Sequence, residues 1–334
     1  MDGTGGRLTR RAFFAGVGVG AFAAMFPAVR RASARAARDL TVFVGTYTNG
    51  ASKGIYRGRF DAATGALTDV QVVAETGNPS YLVLDPGRRY LYAVNELMTF
   101  EGQPGGAVTA YAVRPETGDL VQLNRQPTHG GAPCYVTVDR AGRHVLVANY
   151  MGGNVAVFPV RDDGGLGPAS DVEQHEGRGP DAERQEGPHA HAIHLDAANR
   201  YAFAVDLGVD RIVGYRYDPA EGTLAPSASA GARLHPGAGP RHFAFHPGGR
   251  FAYVINELDS TLTAFSYDPE TGALAALETV STVPEGFEGA NYCADLHVAP
   301  SGRYLYGSNR GHDSIVAYAV DAETGRLTLL GHTP

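Results

Sequence analysis

Cysteine is nearly missing from this sequence: two residues, Cys134 and Cys293, in 334 positions exclude a disulfide-built scaffold and leave at most one bridge. Those two lie three repeats apart in the pattern described below, so no bridge is expected. Long runs with a 3.6-residue hydrophobic period are also scarce, which excludes a helical bundle. Basic clusters are absent as well, since the 28 Lys and Arg are scattered and the formal net charge is −7. Nucleic acid is therefore not an expected partner.

What the chain has in quantity is turn chemistry. There are 44 Gly and 20 Pro, with recurring Asp-Pro and Thr-Gly pairs, in a chain that is 43% hydrophobic. That composition describes many short strands joined by tight turns.

The first 36 residues read as a separate segment. Thr9-Arg10-Arg11-Ala12-Phe13-Phe14 opens an apolar stretch that runs to Val29, and Ala32-Ser33-Ala34 supplies small residues suited to signal-peptidase cleavage. The pattern is that of a twin-arginine signal peptide, which directs the protein to the periplasm, the cell surface or the medium. A membrane anchor is the alternative, but the Gly content and Pro27 favour cleavage. Stable membrane insertion is not expected once the segment is removed.

From residue 40 onward the sequence repeats itself. Aligned on Arg89, Arg143, Arg200, Arg250 and Arg303, five segments coincide: 79–96, 133–150, 190–207, 240–257 and 293–310. Each is followed by a third strand such as NVAVFPV or TLTAFSY, then by a turn such as DPETGAL leading into a fourth. Four strands in a period of 50 to 57 residues make a propeller blade and exclude two-helix solenoids. A β-sandwich would not explain five copies of one unit. The expected fold is thus an all-β propeller. TVFVGTY, GIYRGRF and ALTDVQVV match the second, third and fourth strands of an opening blade. A seven-bladed ring would need one more blade and one more strand, so the C-terminal blade is expected to be missing; a six-bladed ring with one three-stranded blade is the structural alternative.

The turns that carry the anchors occupy one face of such a disc, and the variable loops the other. Six residues after the anchor stand Asn95, Asn149, Asp206, Asn256 and Asn309, a uniformity expected of a structural hydrogen bond. One residue later stand Glu96, Tyr150, Leu207, Glu257 and Arg310, and nine before the anchor stand Ser80, Cys134, His191, Arg241 and Ala294. Positions that diversify in this way suit a channel lining. They nominate His191, Arg241 and Glu257 as catalytic groups, with His189 on the same side of its strand as His191, and Arg310 as a substrate ligand. His242, Asn256 and His312 adjoin them and are further candidate substrate ligands.

Hydrolysis of a cyclic ester needs a base for water, a donor for the oxyanion and a grip on the acid. Histidine, arginine and glutamate can supply these. The same groups could serve a cycloisomerase, or a non-catalytic exported propeller that binds a ligand or surface partner. His189-Ala190-His191 has the spacing of a zinc pair, but no third ligand stands at a diagnostic distance. His194 and His297 are expected in the core, and Arg178 and Arg184 in solvent.

The strings GTYT, NPSYL, ANYMGGNVAVFPV, GPHAHAIHLD, GAGPRHFAFHP, YVINELDS and SNRGHDSIVAY, taken in order over residues 41 to 334, resemble the lactonase family of seven-bladed propellers. That resemblance implies a lactone-directed enzyme of the 6-phosphogluconolactonase and carboxymuconate lactonizing type, acting without metal or other cofactor on a small anionic lactone or sugar acid. It implies a site of histidine, two arginines and glutamate, carried by His189 or His191, Arg241, Glu257 and Arg310.

Overall fold

The structure, a computed structural model, describes residues 39–334. The segment read as a signal peptide, 1–36, lies outside the described residues.

Six sheet units follow one another along the chain. Blade 1 has three strands, β1 (Asp39–Val44), β2 (Gly54–Asp61) and β3 (Ala66–Glu75). Blade 2 comprises β4 (Leu82–Leu84), β5 (Tyr90–Asn95), β8 (Ala107–Val113) and β9 (Leu120–Pro127), with a small hairpin of β6 (Thr99–Phe100) and β7 (Gln103–Pro104) between its second and third strands. Blade 3 comprises β10 (Pro133–Val138), β11 (His144–Asn149), β12 (Asn154–Pro159) and β13 (Asp171–Gln174). Blade 4 comprises β14 (Ala190–Leu195), β15 (Tyr201–Asp206), β16 (Arg211–Asp218) and β17 (Thr223–Arg233). Blade 5 comprises β18 (Pro240–Phe245), β19 (Phe251–Asn256), β20 (Thr261–Asp268) and β21 (Ala273–Ser281). Blade 6 comprises β22 (Tyr292–Val298), β23 (Tyr304–Arg310), β24 (Ser314–Val320) and β25 (Leu327–Thr333). Within each blade consecutive strands pair antiparallel, and a single parallel bridge, Gly231 to Ala273, joins the outer strands of blades 4 and 5. Among the described residues the one helical turn is Leu207–Val209.

The repeated turn has a simple cause. Its residue just before the anchor must take a positive φ, and Gly142, Gly249 and Gly302 do so at 68°, 70° and 71°. Asn199 replaces glycine at 53°, as asparagine can, while Arg88 takes the position at 55° because Gly87 stands one residue too early. An aspartate closes the turn from the other side. Asp85 accepts from the backbone N–H groups of Arg89 and Tyr90, Asp139 from Arg143 and His144, and Asp196 from Arg200 and Tyr201.

The β-faces then pack blade on blade. The second strands are buried along their length, as in β11, β15 and β19. The largest apolar cluster runs through Phe203, Phe243, Phe265 and Tyr215 between blades 4 and 5. Tyrosine hydroxyls tie neighbouring blades at the turn face: Tyr92 donates to Gly164 O, Tyr201 to Glu270 O and Tyr253 to Gly325 O. Large apolar side chains are exposed on blade 1, at Leu40, Val44, Leu67, Val70 and Val72, and on blade 6, at Tyr304, Tyr306, Ile315, Leu329 and Leu330.

The uniform Asn or Asp that ends each second strand is a buried structural bond, as the repeat pattern implies. Asn95 donates to Thr76 Oγ1 and Gly77 O, Asn149 to Thr128 O, and Asn309 to Thr282 O. Asp206 instead accepts from the His189 and Gly208 N–H groups. Asn256 belongs to this set: it is fully buried and its amide donates to Thr261 and Thr263 inside its own blade, so it does not reach the channel as a substrate ligand.

Candidate active site

In blades 3 to 6 the diversified position of the inner strand coincides with a break in pairing. In β10 the register passes from Pro133 to Tyr135, in β14 from Ala190 to Ala192, and in β18 from Pro240 to His242. The skipped residues are Cys134, His191 and Arg241. In β22 the break falls between Cys293 and Leu296. An extra residue bulged out of a strand is freed from the alternation of its neighbours and can be re-aimed. Here the bulges place a thiol, an imidazole and a guanidinium on successive blades around one channel.

Glu257, which directly follows β19, is the hub of the site. Its side chain is only 6% exposed and meets three guanidinium groups. Arg241 donates from Nε to Oε2 at 2.9 Å, Arg310 Nη2 lies 2.9 Å from the same oxygen, and Arg184 donates from Nη2 to Oε1 at 2.5 Å. Three guanidinium groups thus converge on one carboxylate, which cannot accept all of their N–H donors.

Arg241 is held from two further sides. Its Nη1 donates to Ala294 O at 2.9 Å and to His242 Nε2 at 3.2 Å. His242 can accept there because its Nδ1–H is donated to Asp295 Oδ1 at 2.7 Å. Burial and the Arg241 charge push His242 down to about 4, so the ring is neutral near pH 7. Burial alone would raise the Asp295 carboxyl, but hydrogen bonds from His242 and His297 outweigh it and hold the group well below the usual carboxylate range. The chain Asp295–His242–Arg241 thus fixes the guanidinium fork, while its Nη2 has no protein partner among the described residues. His242 supports Arg241 rather than presenting a free nitrogen to substrate.

The two histidines of the PHAH segment differ. His189 stacks on Tyr150 with centroids 4.5 Å apart, and its Nδ1 is 3.0 Å from Tyr150 O while Nε2 is 3.2 Å from Glu186 Oε1. Both nitrogens are thus directed at protein oxygens rather than at substrate. His191 has Cys134 Sγ 3.5 Å from Nδ1, and its Nε2 has no partner among the described residues, nor is it one of the sealed polar atoms. Burial and the neighbouring Arg241 charge push this imidazole well below its ordinary value. It is a neutral base at neutral pH.

Arg184 is the residue that sequence reading missed. It was expected in solvent, yet it crosses the mouth to Glu257, reaches to 3.5 Å from Tyr150 Oη and lies over the Tyr292 ring at 5.5 Å. Its loop is pinned by the next residue, the fully buried Gln185, which donates to Leu207 O and Asp210 Oδ1. Gly208 allows the approach, since a Cβ there would fall 1.9 Å from Gly187 O. Arg178 is exposed as expected. His297 is a second correction: it is 74% exposed and bonded to Asp295 Oδ2 at 2.9 Å, for although it keeps the register of His194, it lies on the face of blade 6 that also exposes Tyr306 rather than in the core. His194 is packed between Tyr135 and Phe243 as expected. His312 bonds Ser314 and contacts Phe287 and His332, apart from the arginine cluster. Cys134 and Cys293 are both free and buried.

Glu96, at the diversified position of blade 2, accepts from Tyr47 Oη at 2.8 Å. Tyr81 and Tyr135 pack against the His242 ring, with Tyr135 and His242 centroids 5.2 Å apart.

A family described as lactonase, seven-bladed β-propeller, matches residues 41–334. The chain belongs to this family. It is 40% identical over 288 residues to a 6-phosphogluconolactonase of Bacillus subtilis, covering 86% of this chain and 80% of the relative. With the 6-phosphogluconolactonase of Erwinia tasmaniensis it shares 33% identity over 271 residues, 81% of this chain and 75% of that one. Among solved structures, the periplasmic gluconolactonase of Pseudomonas aeruginosa superposes with a TM-score of 0.82 at 38% identity, covering 88% of this chain and 82% of that protein. The lactonase propeller and its lactone-directed hydrolase class therefore agree with the expectation from the ordered motifs.

Proposed function

We propose that this lactonase-family propeller hydrolyses the lactone of a sugar acid or related acid at the channel mouth, with His191 as the base. The observation that carries this reading is the open Nε2 of a neutral His191 beside an arginine cluster whose N–H donors one glutamate cannot all accept. Water would lose a proton to Nε2 as its oxygen bonds the lactone carbonyl carbon. Arg241 and Arg310 would hold the resulting oxyanion and the acidic substituent. The ring C–O bond would then break, its oxygen taking the proton back from His191, to give the hydroxy acid. Every proton is returned. Glu257 acts by orienting the guanidinium groups rather than by touching substrate.

The experiment is hydrolysis of phosphorylated and unphosphorylated sugar-acid lactones by wild type, His191→Ala and Arg241→Ala. Loss of turnover in both variants supports the reading. Retained ligand binding without any turnover in wild type would favour a binding propeller, and lactone formation from a carboxymuconate-type diacid would favour a cycloisomerase.

Residues 1–36 are proposed to be a twin-arginine signal peptide that places the enzyme outside the cytoplasm, supported by Arg10-Arg11 and the apolar stretch after them. Among the described residues no helix is long and apolar enough to cross a membrane. Conversion of both arginines to lysine should leave the protein in the cytoplasm, and unchanged export would contradict the assignment.

A further inference from the structure

We infer that Cys134 holds the proton of His191 on Nδ1 and thereby turns the lone pair of Nε2 into the channel. This rests on the reading of His191 as the base. Cys134 and His191 are the bulged residues of β10 and β14, inner strands of neighbouring blades, so the two bulges aim their side chains at each other.

A neutral imidazole carries one proton, and only one of its two placements leaves Nε2 able to accept a proton from water. The surroundings of the sulfur decide which placement is favoured. Cys134 Sγ lies 3.4 Å from His191 O, 3.8 Å from Ala190 O and 3.9 Å from Ala148 O. Carbonyl oxygens can only accept, so this ring of three draws the S–H proton to itself. Sulfur lone pairs are then left for the one remaining neighbour, His191 Nδ1 at 3.5 Å, which must bring the hydrogen. The reverse arrangement, S–H to Nδ1, would set sulfur lone pairs against three carbonyls. Burial pushes the thiol up, so it stays a neutral partner and neither forms an ion pair with the ring nor acts as a nucleophile. Cys134 is therefore a positioning residue, acting through His191.

A serine hydroxyl can repeat both bonds, donating to a carbonyl while accepting from Nδ1–H. Alanine can repeat neither. The test is long-range proton–nitrogen NMR of the full chain, with the His191 signals assigned by their loss in His191→Gln, combined with lactone kinetics. Wild type and Cys134→Ser should show His191 as the Nδ1–H tautomer. Cys134→Ala should show a shift towards Nε2–H, with kcat reduced about ten- to a hundred-fold, KM changed less than about two-fold and melting temperature nearly unchanged. An Nε2–H tautomer in wild type, or an alanine variant with unaltered tautomer and kcat, overturns the inference. Should wild type hydrolyse no lactone, the proposed activity fails while the tautomer measurement still decides the role of Cys134.

Discussion

Arg184 Nη2 lies 2.5 Å from Glu257 Oε1, although 73 residues separate the two in sequence. A loop between blades 3 and 4 thus reaches over the channel to the glutamate that orients Arg241 and Arg310 on blades 5 and 6. The contact adds a third guanidinium to the cluster, and on the proposed function Arg184 would take part in holding an anionic substrate.

Arg184→Met keeps much of the side-chain volume and removes the charge. Because Gln185 anchors the loop independently, the fold should persist. A charge-assisted hydrogen bond is worth about 1.5–3 kcal/mol, so KM for a phosphorylated sugar-acid lactone should rise about ten- to a hundred-fold while kcat changes little. Steady-state kinetics with the phosphorylated and unphosphorylated substrates check this; equal effects on both would mean that Arg184 does not read the anionic group.

Neighbouring blades are tied at Tyr253, whose buried hydroxyl donates to Gly325 O at 3.0 Å. Tyr253→Phe removes one donor and leaves a carbonyl without its partner. Stability should fall by about 1–3 kcal/mol, read as a lower urea midpoint at constant slope. Since the residue lies at the turn face, lactone turnover at low temperature should be unchanged.

His194 sits between Tyr135 and Phe243 with a sealed, unpartnered Nε2. Burial pushes it from 6.5 down to about 3. A depressed histidine contributes stability that is fully present above pH 6.5 and is lost as pH falls through that value towards about 3, because the unfolded chain binds the proton more readily. Its share of the loss approaches about 1.4 kcal/mol per pH unit. His194→Phe should flatten the stability curve between pH 6 and 4, measured by urea unfolding at stepped pH; an unchanged slope would show that the ring is protonated in the folded protein.

The propeller was legible because each blade repeats the same local demand. A positive φ before the anchor arginine, met by Gly142, Asn199, Gly249 and Gly302, and in blades 2 to 4 an aspartate that caps the turn, leave a trace in sequence regardless of distant contacts. His191, Arg241, Glu257 and Arg310 were legible for the opposite reason, as departures from uniformity at aligned positions. The His189/His191 choice was not legible, since it depends on which nitrogens meet Tyr150, Glu186 and Cys134. Asp295 was hidden by the bulge in β22, which breaks the two-residue alternation of strand faces, and His297 by the exposure of its face of blade 6, where Tyr306 is also open. Arg184 was hidden because Gln185 finds its partners 22 and 25 residues away, and nothing local in the loop announces them.

The most direct test of the central claim is the initial rate of sugar-acid lactone hydrolysis, corrected for spontaneous opening, in His191→Gln and His189→Gln. Removal of a general base should lower kcat in His191→Gln by about a hundred-fold or more, with KM within about three-fold of wild type, while His189→Gln keeps kcat within about ten-fold. A His191→Gln enzyme that turns over at the wild-type rate would contradict the account.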